Sequence, residues 1–137
     1  MLDEQQLSEL LTSISNKIRA NPIFLPIVGR KNRNGIPYIL VTESGYSFCS
    51  QEYSHIDFEE HNLDQDELIY RVFLLISSDM YTEDCIRGSG YIPFEGSVKI
   101  QREKWFQYQI EFLGRIDQSY SKRITDEIEK IKEKYPL

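Results

Sequence analysis

The sequence predicts an α+β fold: an antiparallel β-meander packed by three to four α-helices. Three observations predict it. An apolar stripe at helical spacing opens the chain, and short apolar runs separated by turn pairs follow it. From Asp64 onward, apolar residues return to helical spacing and keep it nearly to the end. Repeats, low-complexity stretches and long linkers are missing, so residues 1–137 are expected to form a single domain.

The first helix is expected from about Asp3 to Arg19. Leu7, Leu10, Leu11, Ile14 and Ile18 share one face. Asn21-Pro22 should end it, because a residue before proline avoids the α region. The meander then spans Ile23 to about Tyr53, with apolar runs at Phe24–Val28, Ile36–Val41 and Tyr46–Phe48. Asn34-Gly35 and Ser44-Gly45 separate the runs, and both pairs tolerate positive φ. Pro26 and Pro37 place their strands at an edge or a strand start. Strict alternation from Ser54 to Glu60 predicts one more strand. It sets Ile56 and Phe58 on one face and His55, Asp57 and Glu59 on the other.

A second helix should begin near Asp64, where Asp64 and Glu67 have capping-box spacing. Leu68, Val72, Leu75, Ile76 and Met80, widened by Ile69 and Phe73, make it a central helix. A Gly/Pro-rich loop is expected from Arg87 to Ser97, carrying Tyr91, Ile92 and Phe94. A third helix, about Val98 to Ser119, is marked by Trp105, Gln109, Phe112, Leu113 and Ile116. The last, about Ser121 to Lys134, carries Ile124, Ile128 and Ile131 and is stopped by Pro136.

Hydrophobic residues are 40% of the 137 and charged residues 28%, values of an ordinary folded chain. Cys49 and Cys85 form no CxxC pair and are expected as small apolar residues in a reducing compartment. The N-terminus is acidic where a signal peptide would be basic, and no apolar run approaches the ~18 residues of a membrane span. A cytoplasmic protein with no membrane partner is the expectation.

The net charge of −6 is unevenly placed. Residues 1–51 sum to +1 and residues 68–137 to zero, while Glu52, Asp57, Glu59, Glu60, Asp64, Asp66 and Glu67 lie in sixteen residues with no Lys or Arg. Such a field repels phosphate backbones and attracts basic proteins. These seven acids and Tyr53 are therefore the candidate partner-binding residues, and nucleic acid is not an expected partner. Tyr46, Tyr81 and Tyr91, like Tyr53, sit beside polar or turn residues, where tyrosine makes a good interface anchor. The basic cluster Arg30-Lys31-Asn32-Arg33 reads as a solvated turn.

The most enzyme-like pattern is His55-x-Asp57-x-Glu59-x-His61, whose period of two would align ligands for a divalent cation in a small metal-dependent hydrolase. The simpler reading is a solvated acidic strand face, with no metal, cofactor or catalytic residue. Cys49 with His55 lacks the context of a nucleophile and base. Gly88-Ser89-Gly90 lacks the Lys-Ser/Thr of a phosphate loop. Trp105 reads as core. Nothing in the pattern sets an oligomeric state.

The helical half carries a family resemblance. Asp66-Glu67-Leu68-Ile69-Tyr70-Arg71-Val72-Phe73 opens a long helix; Arg102, Trp105-Phe106 and Gln109-Ile110-Glu111-Phe112-Leu113 follow, and the chain closes on Tyr135-Pro136. This order resembles the bacterial polymorphic-toxin immunity proteins of the family numbered sixty-three, over roughly residues 36–137 and most strongly from Asp64. The family's motif falls here on Asp66, Glu67, Tyr70, Arg102, Gln109 and Glu111. The resemblance implies a non-catalytic protein that binds and neutralises a cognate toxin inside the producing cell. An acidic protein of that kind suits a basic nuclease domain as partner.

Overall fold

The first helix shows how local chemistry sets each boundary in this chain. The computed structural model describes residues 1–89 and 97–137. Helix α1 (Glu4–Lys17) starts at a complete capping box: Gln6 N donates to Asp3 Oδ1 at 2.8 Å, and Asp3 N to Gln6 Oε1 at 3.0 Å. It ends before Asn21-Pro22. Arg19 adopts φ +59, with Ala20 N donating to the Ser15 carbonyl and Arg19 N to that of Asn16. That is a Schellman cap with arginine where glycine is usual. Leu7, Leu11 and Ile18 are buried, and Ser15 with them.

Phe24–Val28 is only partly a strand. Pro22–Phe24 forms a 3₁₀ turn, and β1 is Ile27–Val28 alone. It is followed by β2 (Tyr38–Thr42), β3 (Gly45–Glu52) and β4 (His55–Leu63), in spatial order β1-β2-β3-β4. The last three form the expected antiparallel meander, but β1 runs parallel to β2, so the sheet is mixed. A two-residue strand asks for little crossover, and the loop turns back through Gly29 and Gly35, both at positive φ. Gly45 sits where any Cβ would lie 2.8 Å from the Leu63 carbonyl, so the tight β2–β3 turn requires glycine.

Helix α2 (Gln65–Ser89) outruns the expected end near Met80, so Arg87, Gly88 and Ser89 are helical rather than loop. Tyr91, Ile92 and Phe94 lie outside the described residues. Leu68, Ile69, Tyr70, Val72, Phe73, Ile76, Ser77 and Met80 are buried, confirming a helix covered around most of its circumference. Leu75, expected in the core, is only half-buried. Helix α3 (Val98–Gly114) stops five residues short of Ser119, and α4 (Gln118–Lys134) starts earlier than expected. The cause is Asp117, whose carboxylate accepts from Ser119 N at 2.8 Å and caps α4. Ser119 bonds hold the Asp117 carboxyl below the usual carboxylate range.

The chain divides within α2 into two compact units, Met1–Val72 and Phe73–Leu137. In the first, Ile39, Tyr46, Phe48 and Leu63 are buried on one face of the sheet. The Tyr46 hydroxyl closes on the N-terminus, accepting from Leu2 N at 2.8 Å and donating to Leu2 O at 3.2 Å. In the second, Phe106, Phe112, Leu113, Tyr120, Ile124 and Ile128 are buried, whereas Ile131 is 41% exposed. Tyr81 lies 5.0 Å from Trp105 and 5.2 Å from Tyr108, ring to ring.

Candidate protein-binding site

Strand β4 is a sheet edge, and two irregularities set where its side chains point. Ser50 opposes Phe58 while its neighbour Gln51 opposes Ile56, which leaves Asp57 as an extra residue. A second irregularity lies between the Tyr46–Leu63 and Phe48–Glu60 pairs, with Asn62 at φ +57. The first bulge overturns the expected alternation. Ile56 and Phe58 stand on opposite faces: Phe58 packs 5.0 Å from the Phe48 ring, and Ile56 is 50% exposed. Bulges, charges and an exposed histidine are also what keeps a sheet edge from pairing indiscriminately.

The same bulge separates the four residues of the metal pattern. Asp57 stays with His55 (3.3 Å) and accepts from Ser50 Oγ at 3.1 Å. Glu59 opposes Cys49 on the other face, and His61 Nδ1 lies 2.9 Å from Ser47 Oγ. Period-two spacing aligns side chains only where the ladder is regular, so the expected shared face of His55, Asp57 and Glu59 is not formed. Among the described residues, no three His, Cys, Asp or Glu side chains converge as a metal would require. Cys49 and His55 are likewise apart, since Cys49 faces the side opposite His55. Burial pushes the Cys49 thiol up, away from a reactive thiolate, and raises the bonded Tyr38 hydroxyl as well.

The seven acids do not form one continuous face. Glu52 and Glu59 stand exposed on the hairpin. Glu60 and Glu67 both pair with Arg71, at 3.0 and 2.8 Å, tying the middle of β4 to the first turns of α2. Asp64 caps α2 by accepting from Glu67 N at 2.8 Å, and Asp66 lies in its first turn. The i, i+4 spacing of Glu67 and Arg71 signals their pairing; no sequence feature gives the bulges away.

Tyr53 is the conspicuous aromatic. It is 74% exposed at the β3–β4 turn, with φ +53 where an L residue seldom sits. Its N–H donates to the Arg33 carbonyl at 2.8 Å, and its carbonyl accepts from Gln51 Nε2 at 2.6 Å, so neighbouring segments fix this conformation. The other anchors are placed differently. Tyr46 is buried, Tyr81 is part of the aromatic cluster, and Tyr91 lies outside the described residues.

The motif residues of the helical half divide between buried and exposed positions, with Asp66 and Glu111 exposed. Tyr70 and Gln109 are buried. Arg102 lies 5.7 Å over the Phe106 ring and donates from Nη1 to the Tyr135 carbonyl at the end of α4. Glu111 accepts from Gln107. The family model described as Immunity protein 63 matches residues 43–130, well over half of the sequence, and the chain belongs to that family. The match takes in β3, β4, α2, α3 and most of α4, leaving α1, β1 and β2 outside it. Comparison with curated proteins and with solved structures gives no match. No described helix is long and apolar enough to cross a membrane.

Proposed function

We propose that the protein binds and neutralises a cognate toxin in the cytoplasm of the cell that makes it, acting by occlusion and not by catalysis. The contact runs along the β3–β4 hairpin, through Glu52, Tyr53, Asp57, Glu59 and Glu60, with Asp64, Asp66 and Glu67 extending the negative field onto α2. One observation carries this reading: a tyrosine fixed in a left-handed conformation and exposed at the tip of an acidic sheet edge. An aromatic held ready in advance binds without a large ordering cost, and the acids draw in a basic partner. A basic nuclease domain is the toxin class this charge suits.

The test is co-expression with the toxin domain encoded by the neighbouring reading frame. The reading predicts a stable complex on gel filtration and restored growth, and loss of both when Tyr53→Ala is combined with neutralised β4 acids. Killing that continues unabated beside abundant wild-type protein contradicts it.

A further inference from the structure

The tip that carries Tyr53 is not purely acidic. Backbone bonds lash a cationic loop to it. Tyr53 N donates to Arg33 O, Gly35 N donates to Gln51 O at 3.0 Å, and Asn34 bridges to Glu52. The loop is held at its start as well, by Gly29 N on the Ile39 carbonyl at 2.8 Å, and internally by Asn34 N on Asn32 Oδ1 at 2.8 Å. Arg30, Lys31 and Arg33 are all exposed on it. Three charges on a turn would ordinarily be a solvated surface; here the turn is fastened to the anchor.

Apolar exposure gathers along the same line. Ile36 (45% exposed) follows Gly35, which bonds Gln51, and Gln51 opposes Ile56 (50% exposed) across the ladder. Tyr53 and Ile36 thus adjoin the loop that carries the three cations, while Glu52 shares the tip with them and Asp57 and Glu59 lie further along β4, on opposite faces. A uniformly basic partner would meet repulsion from Arg30, Lys31 and Arg33 as it seated Tyr53, and like-charge juxtaposition at an interface is costly. An exposed aromatic at a tip that carries charges of both signs selects a partner with the complementary pair of patches, and it fixes the orientation of docking.

Resting on the proposed function, we infer that the toxin surface is bipolar. It has a pocket for Tyr53, cations facing the β4 acids, and a patch of carboxylates facing Arg30, Lys31 and Arg33. The cationic loop is then an attractive half of the interface and sets the register of binding.

Stopped-flow and equilibrium binding of the toxin domain to wild type and to Arg30→Glu/Lys31→Glu/Arg33→Glu decide it. A bipolar interface predicts affinity at least about tenfold weaker, since three attractive rim charges are lost and their reversal adds repulsion. The neutral variant Arg30→Gln/Lys31→Gln/Arg33→Gln should show a smaller loss in the same direction, and it keeps every backbone bond of the loop. Unchanged or tighter binding in both, with wild-type binding intact, overturns the bipolar surface and leaves the toxin-binding reading in place. Absence of any wild-type complex overturns both.

Discussion

The β3–β4 hairpin and the longer, more highly charged α3–α4 hairpin use polar groups in opposite ways. In the helical hairpin polar groups close on one another, Lys132 with Glu103 at 3.0 Å, Arg123 with Glu127 at 3.2 Å and Arg102 on the Tyr135 carbonyl, and Tyr108 reaches Asp84 of α2 at 2.7 Å. Arg102 and Lys132 also both lie over the Phe106 ring, at 5.7 and 5.8 Å. In the strand hairpin Glu52 and Glu59 stand exposed, and an aromatic side chain is left in solvent in a conformation it would not choose. Of the motif residues, Tyr70 and Gln109 are buried and Arg102 bonds the Tyr135 carbonyl, so these three hold the fold together.

The sharpest way to break this contrast is to cut into the helical hairpin. Phe112→Ala, at a buried ring that stacks 6.1 Å from Tyr108, should cost about 3–5 kcal/mol in denaturant unfolding. Glu59→Gln on the strand edge should change stability by less than about 0.5 kcal/mol. Equal effects would mean that the edge is structural after all. Below that in size comes the α2 cap: Asp64→Ala should cost about 1 kcal/mol, because it strips the acceptor from Glu67 N.

Tyr53→Gly separates the two uses most cleanly. Glycine adopts positive φ without strain, so the change should raise stability by up to about 1 kcal/mol. On the proposed function it should also speed toxin dissociation, as loss of a desolvated anchor does. A variant that loses stability and keeps its binding would refute the role assigned to the ring. The smallest effect concerns pH. Burial raises the Asp79 carboxyl above its ordinary value. The folded state therefore favours the neutral acid; that contribution is fully present below the ordinary carboxylate pKa and is lost as pH rises through the folded one. Asp79→Asn should raise the melting temperature slightly near neutrality and remove this part of its pH dependence. A lower melting temperature at every pH would contradict it.

The legible parts of the fold were those written in periodicity. The stripe of α1, the meander of β2 to β4 and the burial of Leu68, Val72, Phe73 and Ile76 follow from spacing that a regular element must respect. Boundaries were hidden where one unusual residue decides them: Arg19 in a left-handed cap, or Asp117 capping α4 within what reads as continuous helix. The site was legible as composition and illegible as geometry. Seven acids in sixteen residues announce a field, but the bulge at Asp57 is selected by the whole ladder, and it alone decides that Glu59 and Asp57 face opposite ways. Nor does any local signal announce that Arg33 accepts from Tyr53 and brings a basic turn to an acidic tip.

The central claim is that the exposed acids of the strand hairpin guide a basic partner to a waiting tyrosine. The most direct measurement is the association rate with the toxin domain across a salt series, for wild type and for Glu52→Gln/Asp57→Asn/Glu59→Gln. Steering by these charges predicts a wild-type rate that falls steeply with ionic strength, and a variant that associates more slowly at low salt with a flatter dependence. Wild type and variant associating at the same rate, equally indifferent to salt, would contradict it.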